Sequence, residues 1–354
     1  MSLLFSPITI KEITLRNRIV VSPMCQYTAS EGYANNWHLV HYGSRAAGGA
    51  GLIIQEATAV VPEGRISPGD LGLWCDDHIP ALKGITGFLH QQGAMAGVQL
   101  AHAGRKASCD LAWNGGKQLT AAQGGWMTVA PSPIPFNRDE DAPQALDHGG
   151  IKKVVDGFAR SARRALAAGY DVVEIHAAHG YLIHQFLSPL SNHRNDEYGG
   201  SFNNRIRLLV EIVKSVRTEW PDHLPLFVRI SATDWKEGGW NPEEAARLSS
   251  ILKGEGIDLI DCSSGGLVPE AKIPLGPGYQ VHFAEKIRRE ASVLTGAVGM
   301  ITEARQAGEI LARGQADLIL MGREMLRNPH FPFLAARELG DDISWPVQYL
   351  RAKR

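Results

Sequence analysis

Between residues 151 and 321 the chain alternates between two kinds of hydrophobic pattern. Over 151–168 the apolar residues Val154, Val155, Phe158, Ala162, Ala165 and Leu166 recur at helical spacing, Gly169 can cap, and the short run 172–176 reads as a strand. The unit then repeats. A helix from about Ser201, with Ile206, Leu209, Val210 and Val213, leads to a strand at 226–230. Asn241-Pro242-Glu243-Glu244 opens the next helix with a capping side chain, a first-turn proline and acids against the dipole, and a strand at 257–262 follows. Two more units give strands near 293–295 and at 317–321, the latter preceded by a helix over 302–312. The first half supplies strands at 18–22, 51–57 and 95–100, with helical stretches near 38–48 and 78–91. Eight strands in this rhythm predict an α/β fold, a single-domain (β/α)8 TIM barrel over 1–354.

Residues 107–150 lack the period and carry turn-rich segments such as Ala130-Pro131-Ser132-Pro133. They are expected to form a loop excursion over the C-terminal face of the barrel, with no domain boundary, because closure needs the strands on both sides. The rival architecture, an open doubly wound sheet, calls for a glycine-rich turn after an early strand. Gly48-Gly49-Ala50-Gly51 precedes a strand instead.

Composition narrows the partners. A 44% hydrophobic share leaves material for a large core, while a formal net charge of -1 and no run of Lys or Arg point away from nucleic acid and anionic membranes and toward a small molecule. No stretch approaches the roughly 20 apolar residues of a membrane span, and the first residues lack a secretory pattern, so a soluble cytoplasmic protein is expected. The 4 cysteines show no C-x-x-C spacing, which signals neither an iron–sulfur cluster nor structural zinc.

In such a barrel the residues just after each strand share one face. Alternation along 172–176 sends Val172, Glu174 and His176 inward, so His176 reaches the inner rim with His179 and Tyr181 beyond it. Two imidazoles in one turn can grip an oxygen that gains negative charge, and the phenol can offer a proton. A metal site with Glu174 as third ligand is the alternative; Glu174 lies deeper in the strand, and no metal is expected. After strands seven and eight, Gly296, Gly299, Gly322 and Arg323 suggest a phosphate site, against the plainer reading of tight turns. A phosphate there, with Arg229 across the mouth, suggests flavin mononucleotide (FMN), the arginine facing the flavin edge that gains charge on reduction. A buried ion pair of Arg229 with Glu174 or Asp234 is equally open. Cys25 is either a flavin contact or a small buried hydrophobe, and His102 and Lys106 either charge the rim or belong to a solvated loop.

These residues also form longer motifs. Ser22-Pro23-Met24-Cys25, the run from Gln99 to Lys106, His176-Ala177-Ala178-His179-Gly180-Tyr181-Leu182, Ser188-Pro189-Leu190-Ser191-Asn192 and the run from Asp196 to Ser201 together resemble the Old Yellow Enzyme family of flavin ene-reductases. Cys25 and the ending Pro346-Val347-Gln348-Tyr349-Leu350-Arg351 are similar to its bacterial NADPH dehydrogenase and xenobiotic reductase branch. The resemblance implies FMN held by Ser22, Pro23, Met24, Cys25, Ala57, Gln99, Arg229, Ser263, Gly299, Gly322 and Arg323, with Cys25 tuning its redox behaviour. It implies NADPH as reductant in a ping-pong cycle that reduces the C=C bond of α,β-unsaturated carbonyl compounds. By the same resemblance His176 and His179 hold the carbonyl oxygen, Tyr181 protonates the α-carbon and Tyr27 contacts substrate. The resemblance also implies that the tail 340–354 lies at a subunit interface, with Arg351 the candidate to reach the neighbour's site in a homodimer or homotetramer; a frayed, solvated tail is the plain alternative. Some relatives carry Asn in place of His179, and some a Trp where this chain has Ala297 or Val298. The competing readings are a metal-dependent barrel lyase or hydrolase using His176 and His179, and a non-enzymatic flavin-binding protein.

Overall fold

Side-chain alternation in eight short parallel strands decides what fills the middle of this protein. In the computed structural model, which describes residues 1–353, the strands are β1 (Ile19–Val21), β2 (Leu52–Ala59), β3 (Met95–Ala101), β4 (Val172–Ala177), β5 (Leu226–Ser231), β6 (Leu259–Ser263), β7 (Leu294–Ala297) and β8 (Leu318–Met321). They close into one barrel in chain order, β8 pairing with β1. Inward residues Val20, Leu52, Ile54, Val172, Phe227, Leu259, Leu318 and Leu320 form the lower interior. Each such burial contributes roughly 1.5–3 kcal/mol. The alternate residues, among them Val173, Ile175, Val228 and Ile260, face outward into the larger core beneath the helices. An N-terminal hairpin, Ile8–Ile10 against Ile13–Leu15, brings Ile10 and Leu15 onto the interior cluster. The hydrophobic pattern did not predict it, since its strands are only 3 residues long.

The helices follow the predicted chemistry. The helix α1 spans Asn36–Ala47, α2 Ile79–Gln91 and α3 His148–Ala167. Asp147 caps α3 by accepting from the Gly150 amide at 2.7 Å. The stretch from Ser201 is two pieces, Phe202–Arg205 and then α4, Arg207–Glu219. In α5, Pro242–Gly254, the Asn241 side chain accepts from the Glu244 amide at 3.0 Å as the sequence promised. Three more helices complete the ring: α6 (Val281–Ala291), α7 (Ala304–Ala312) and α8 (Phe331–Leu339). No helix among the described residues is long and apolar enough to cross a membrane.

Two irregularities shape the mouth. The pairing of β2 with β3 shifts register between Gln55 and Ala57. That bulge leaves Glu56 outward, where it accepts from Tyr42 of α1, and sets Ala57 beside Gln99. The segment between β3 and α3 runs through short 3-10 turns at Ala112–Asn114 and Ala121–Gln123 and a small parallel ladder, Val129–Ala130 with Gln144–Ala145. Its residues Cys109, Ala112 and Phe136 wall a cavity together with Tyr27 and Tyr181.

Candidate active site

Registers between neighbouring strands stack a polar layer directly above the apolar interior. Gln99 sits beside Glu174, His176 beside Arg229, and Arg229 beside Asp261. Gln99 donates to Glu174 Oε1 at 2.8 Å, and Arg229 Nε lies 2.8 Å from Asp261 Oδ2, an oblique contact rather than a linear hydrogen bond. Burial pushes the Glu174 carboxyl well above its ordinary range; Asp261 nearby adds to the rise and Arg229 opposes it. Asp261 is raised in the same way, by burial against the pull of Arg229. The ion-pair partner of Arg229 is therefore Asp261, not Glu174 or Asp234. Asp234 pairs instead with His184, their atoms 2.8 Å apart. Asp261 thus stands near Glu174 as a second buried acid. Its signal was a lone acid at an inward position of an apolar strand.

At the rim, the rings of His176 and His179 meet edge to face, their centroids 5.1 Å apart. His176 Nδ1 accepts from the Ala178 amide at 3.2 Å, so the neutral ring carries its proton on Nε2. That nitrogen lies 3.4 Å from Nδ1 of His179, and His179 Nε2 lies 2.7 Å from Ser263 Oγ. Burial, with Arg229 beneath, holds both imidazoles well below their ordinary pKa, so they are neutral near pH 7. When Ser263 donates to His179 Nε2, the Nδ1 atom is protonated and two N–H groups aim at one point. This gives Ser263 a role in orienting His179 that its strand-end position did not reveal. The Tyr181 ring packs edge-on to His176, centroids 4.9 Å apart. Burial raises its phenol well above the usual pKa, which keeps the proton available.

Lys106 is no solvated rim charge. Its ammonium donates to the carbonyls of His179 and Gly266 at 2.9 and 3.0 Å and lies 5.4 Å from the centre of the Tyr181 ring. Burial lowers its pKa to about 8. His102 is likewise buried, with Nδ1 accepting from the Gly104 amide. The loop after β1 brings Cys25 and Tyr27 alongside. Burial and the nearby acids Asp70 and Glu56 push the Cys25 thiol well above its ordinary pKa, so it stays protonated. The loop is tied down from below by Glu56, which accepts from the Gln26 amide at 2.7 Å and whose own pKa burial raises to about 8.

Buried polar atoms and crowded glycines at the mouth fit an FMN. Ser22 Oγ and Glu174 Oε2 are buried without a hydrogen-bond partner, both on the inner rim. A cavity of about 260 Å³ opens between the loops after β7 and β8, lined by Ser263, Gly299, Gly322 and Arg323. Gly299 has φ +126°, and a Cβ there would come within 3.0 Å of Gln280. Only glycine fits that bend. Glu324, the adjacent acid, is taken by Arg327 at 2.7 Å, and Arg323 makes no ion pair among the described residues. The Met24 sulfur lies 3.6 Å from where a Gly322 Cβ would stand. An apolar floor, an unpaired cation beside glycine-lined loops and orphaned rim acceptors suit a phosphorylated flavin.

One expectation and one alternative reading stand apart from this convergence. Arg351 lies on the exposed 3-10 turn Val347–Ala352 and lines neither mouth cavity, so one chain alone does not bring it to the site. Glu174 does not complete a metal triad with the two imidazoles. Among the described residues the one tight trio of ligand-type side chains is the surface group His148, Asp196 and Glu197.

Comparison with known proteins agrees with this architecture. The profile of the NADH:flavin oxidoreductase / NADH oxidase family matches residues 3–342. An NADPH dehydrogenase of Listeria monocytogenes serovar 1/2a is 52% identical over 354 residues, covering 99% of both chains. One from Geobacillus sp. (strain WCH70) is 50% identical, covering 100% of this chain and 99% of its own. Among solved structures, morphinone reductase superposes with a TM-score of 0.80 at 27% identity, over 98% of this chain and 91% of that one. The old yellow enzyme homologue from Zymomonas mobilis gives 0.77 at 28% identity, over 99% and 96%. With a family match spanning nearly the whole barrel and close relatives aligned end to end, this chain belongs to the NADH:flavin oxidoreductase / NADH oxidase family, the Old Yellow Enzyme family, and is an FMN-dependent oxidoreductase.

Proposed function

We propose that the protein is an ene-reductase: it uses NADPH to reduce the C=C bond of α,β-unsaturated carbonyl compounds, with Tyr181 as the proton donor. The observation that carries this reading is the approach of His176 Nε2 and His179 Nδ1 to 3.4 Å, beside Tyr181. Two N–H donors on one carbonyl oxygen withdraw electrons from the conjugated alkene and stabilise the enolate-like charge that builds up there. FMN held by the residues named below would supply the hydride-transfer chemistry between NADPH and the β-carbon. Tyr181, neutral and held next to His176, then gives its proton to the α-carbon, and Tyr27 lines the same cavity as a substrate contact. Both substrates use one space in turn, which makes the cycle ping-pong. The candidate flavin holders are Ser22 to Cys25, Ala57, Gln99, Arg229, Ser263, Gly299, Gly322 and Arg323.

The direct test is an absorbance spectrum of purified protein, then anaerobic NADPH, then cyclohexenone. Yellow protein that bleaches with NADPH and regains colour with the enone supports the reading. Protein that bleaches but ignores enones refutes the substrate class. For the phosphate contact, Arg323→Gln is expected to weaken FMN binding by roughly 10- to 100-fold, the worth of a charge-assisted hydrogen bond. Fluorescence titration of the FMN-free protein checks this, and unchanged affinity removes Arg323 from the phosphate site.

The subunit reading rests on the tail. Val347, Tyr349 and Leu350 are exposed around Arg351, on a segment stacked onto α8 through Trp345 against Phe333. Exposed apolar residues beside a cation suit a neighbour of the same kind, and sedimentation analysis of the intact chain decides between monomer, dimer and tetramer.

A further inference from the structure

The turn carrying His179 and Tyr181 has left-handed backbone at two successive residues, His179 at φ +58° and Gly180 at +73°. An L-residue such as histidine is disfavoured there. At Gly180 no side chain is possible, because a Cβ would stand 2.1 Å from the Gly266 carbonyl. The shape persists because each main-chain N–H and C=O of residues 179–181 has a partner. The His179 amide donates to Ser231 Oγ at 2.9 Å, and its carbonyl accepts from Lys106. The Gly180 amide donates to His184 Nδ1 at 2.9 Å, and its carbonyl accepts from Gln185 Nε2 at 2.7 Å. The Tyr181 amide donates to the Ala178 carbonyl, and its own carbonyl accepts from the Gln185 amide.

Within this clamp His184 has a second attachment, at its other ring nitrogen. With Nδ1 occupied by the Gly180 amide, the neutral ring carries its proton on Nε2, and that atom lies obliquely 2.8 Å from Asp234 Oδ1. Asp234 is held in turn. Its Oδ2 accepts from Ser188 Oγ at 2.6 Å and from the Trp240 amide at 2.7 Å. Both side chains are fully buried. A carboxylate locked beside Nε2 favours the tautomer whose Nδ1 lone pair is free for Gly180, the arrangement by which an outer carboxylate sets the working nitrogen of a histidine. Neither residue lines the mouth cavities. Their leverage is on the turn between the two imidazole-and-phenol positions.

We propose that His184 and Asp234 form a positioning pair. By accepting the Gly180 amide, they hold the 179–181 turn so that His179 Nδ1 and the Tyr181 hydroxyl meet the same substrate. The inference rests on the ene-reductase reading and adds His184, which the sequence did not single out, and Asp234, which it offered only as a possible partner of Arg229. Its test uses the FMN-loaded protein with three variants. In His184→Leu the Gly180 amide loses its acceptor; in His184→Asn a side-chain amide oxygen can stand near the Nδ1 position; in Asp234→Asn the charge behind the ring is removed. Rapid mixing then measures the two half-reactions separately.

For His184→Leu the expected result is a fall of about 10- to 100-fold in the rate of cyclohexenone reduction, a penalty of the size that misplacing a reacting group causes. Bleaching by NADPH should stay within about twofold of the parent, and His184→Asn should recover most of the loss, with KM changing less than kcat. Two results overturn the proposal: His184→Leu protein with both half-reactions at parental rates, or equal loss of both that tracks a lowered melting temperature. If His184→Leu does not fold, Asp234→Asn carries the same comparison. Tyr181→Phe separates this inference from the reading beneath it. If that control slows enone reduction and the His184 variants do not, the positioning role fails while the ene-reductase reading stands; if the control has no effect, the reading itself fails.

Discussion

Tyr181→Phe should slow enone reduction by about 10²- to 10⁴-fold, the span covered by a well-placed general acid, and leave flavin reduction by NADPH nearly as fast as in the parent. The substitution removes one oxygen and keeps the ring that packs 4.9 Å from His176 and lies under the Lys106 ammonium. The oxygen matters only for the second half of the cycle. Protonation of the α-carbon needs a neutral donor, and burial keeps this phenol neutral throughout the ordinary pH range. Lys106 alongside works the other way, favouring the phenolate left after the proton has gone. Stopped-flow measurement of both half-reactions decides the matter, and an equal loss in each would contradict the donor role.

The second large effect concerns stability. Arg229→Met should cost about 3–5 kcal/mol, because it leaves two buried acids without the cation that compensates them. Glu174 and Asp261 are both raised by burial, and Arg229 is what pulls each back. In the variant their folded pKa values climb further above those of the unfolded chain. A carboxyl raised in this way contributes stability that is present at low pH and lost as pH rises through its folded value. The deficit of Arg229→Met should therefore be larger at pH 9 than at pH 5. Adding Asp261→Asn should recover part of it. Urea unfolding of FMN-free protein at the two pH values measures this, and a deficit independent of pH would show that the ion pair is not its source.

The surface His148–Asp196–Glu197 trio shows why residue type alone is a weak guide. It groups ligand-type side chains more tightly than the interior does, yet the Arg194 guanidinium pairs with Asp196 at 2.5 Å and His148 contacts Glu197 at 2.9 Å, so the surface itself accounts for the charges. The interior imidazoles, by contrast, keep their convergent nitrogens for something else.

What could be read from the chain was whatever repeats or sits close in sequence. The short apolar runs marked all eight strands to within about two residues, the 3.6 period marked most of the helices, and His176, His179 and Tyr181 lie within six consecutive residues at a strand end. Local cap chemistry at Asn241 was equally legible. Only the closed barrel decided the rest. Asp261 became the partner of Arg229 because parallel register sets those two residues side by side across 31 intervening positions; Ser263 met His179, Glu56 was turned outward by a one-residue bulge, and Lys106 was half-buried beneath a folded-over loop. Such contacts depend on strand register and on which face a bulge exposes, quantities set by the packing of distant segments against one another and written in no single stretch of sequence.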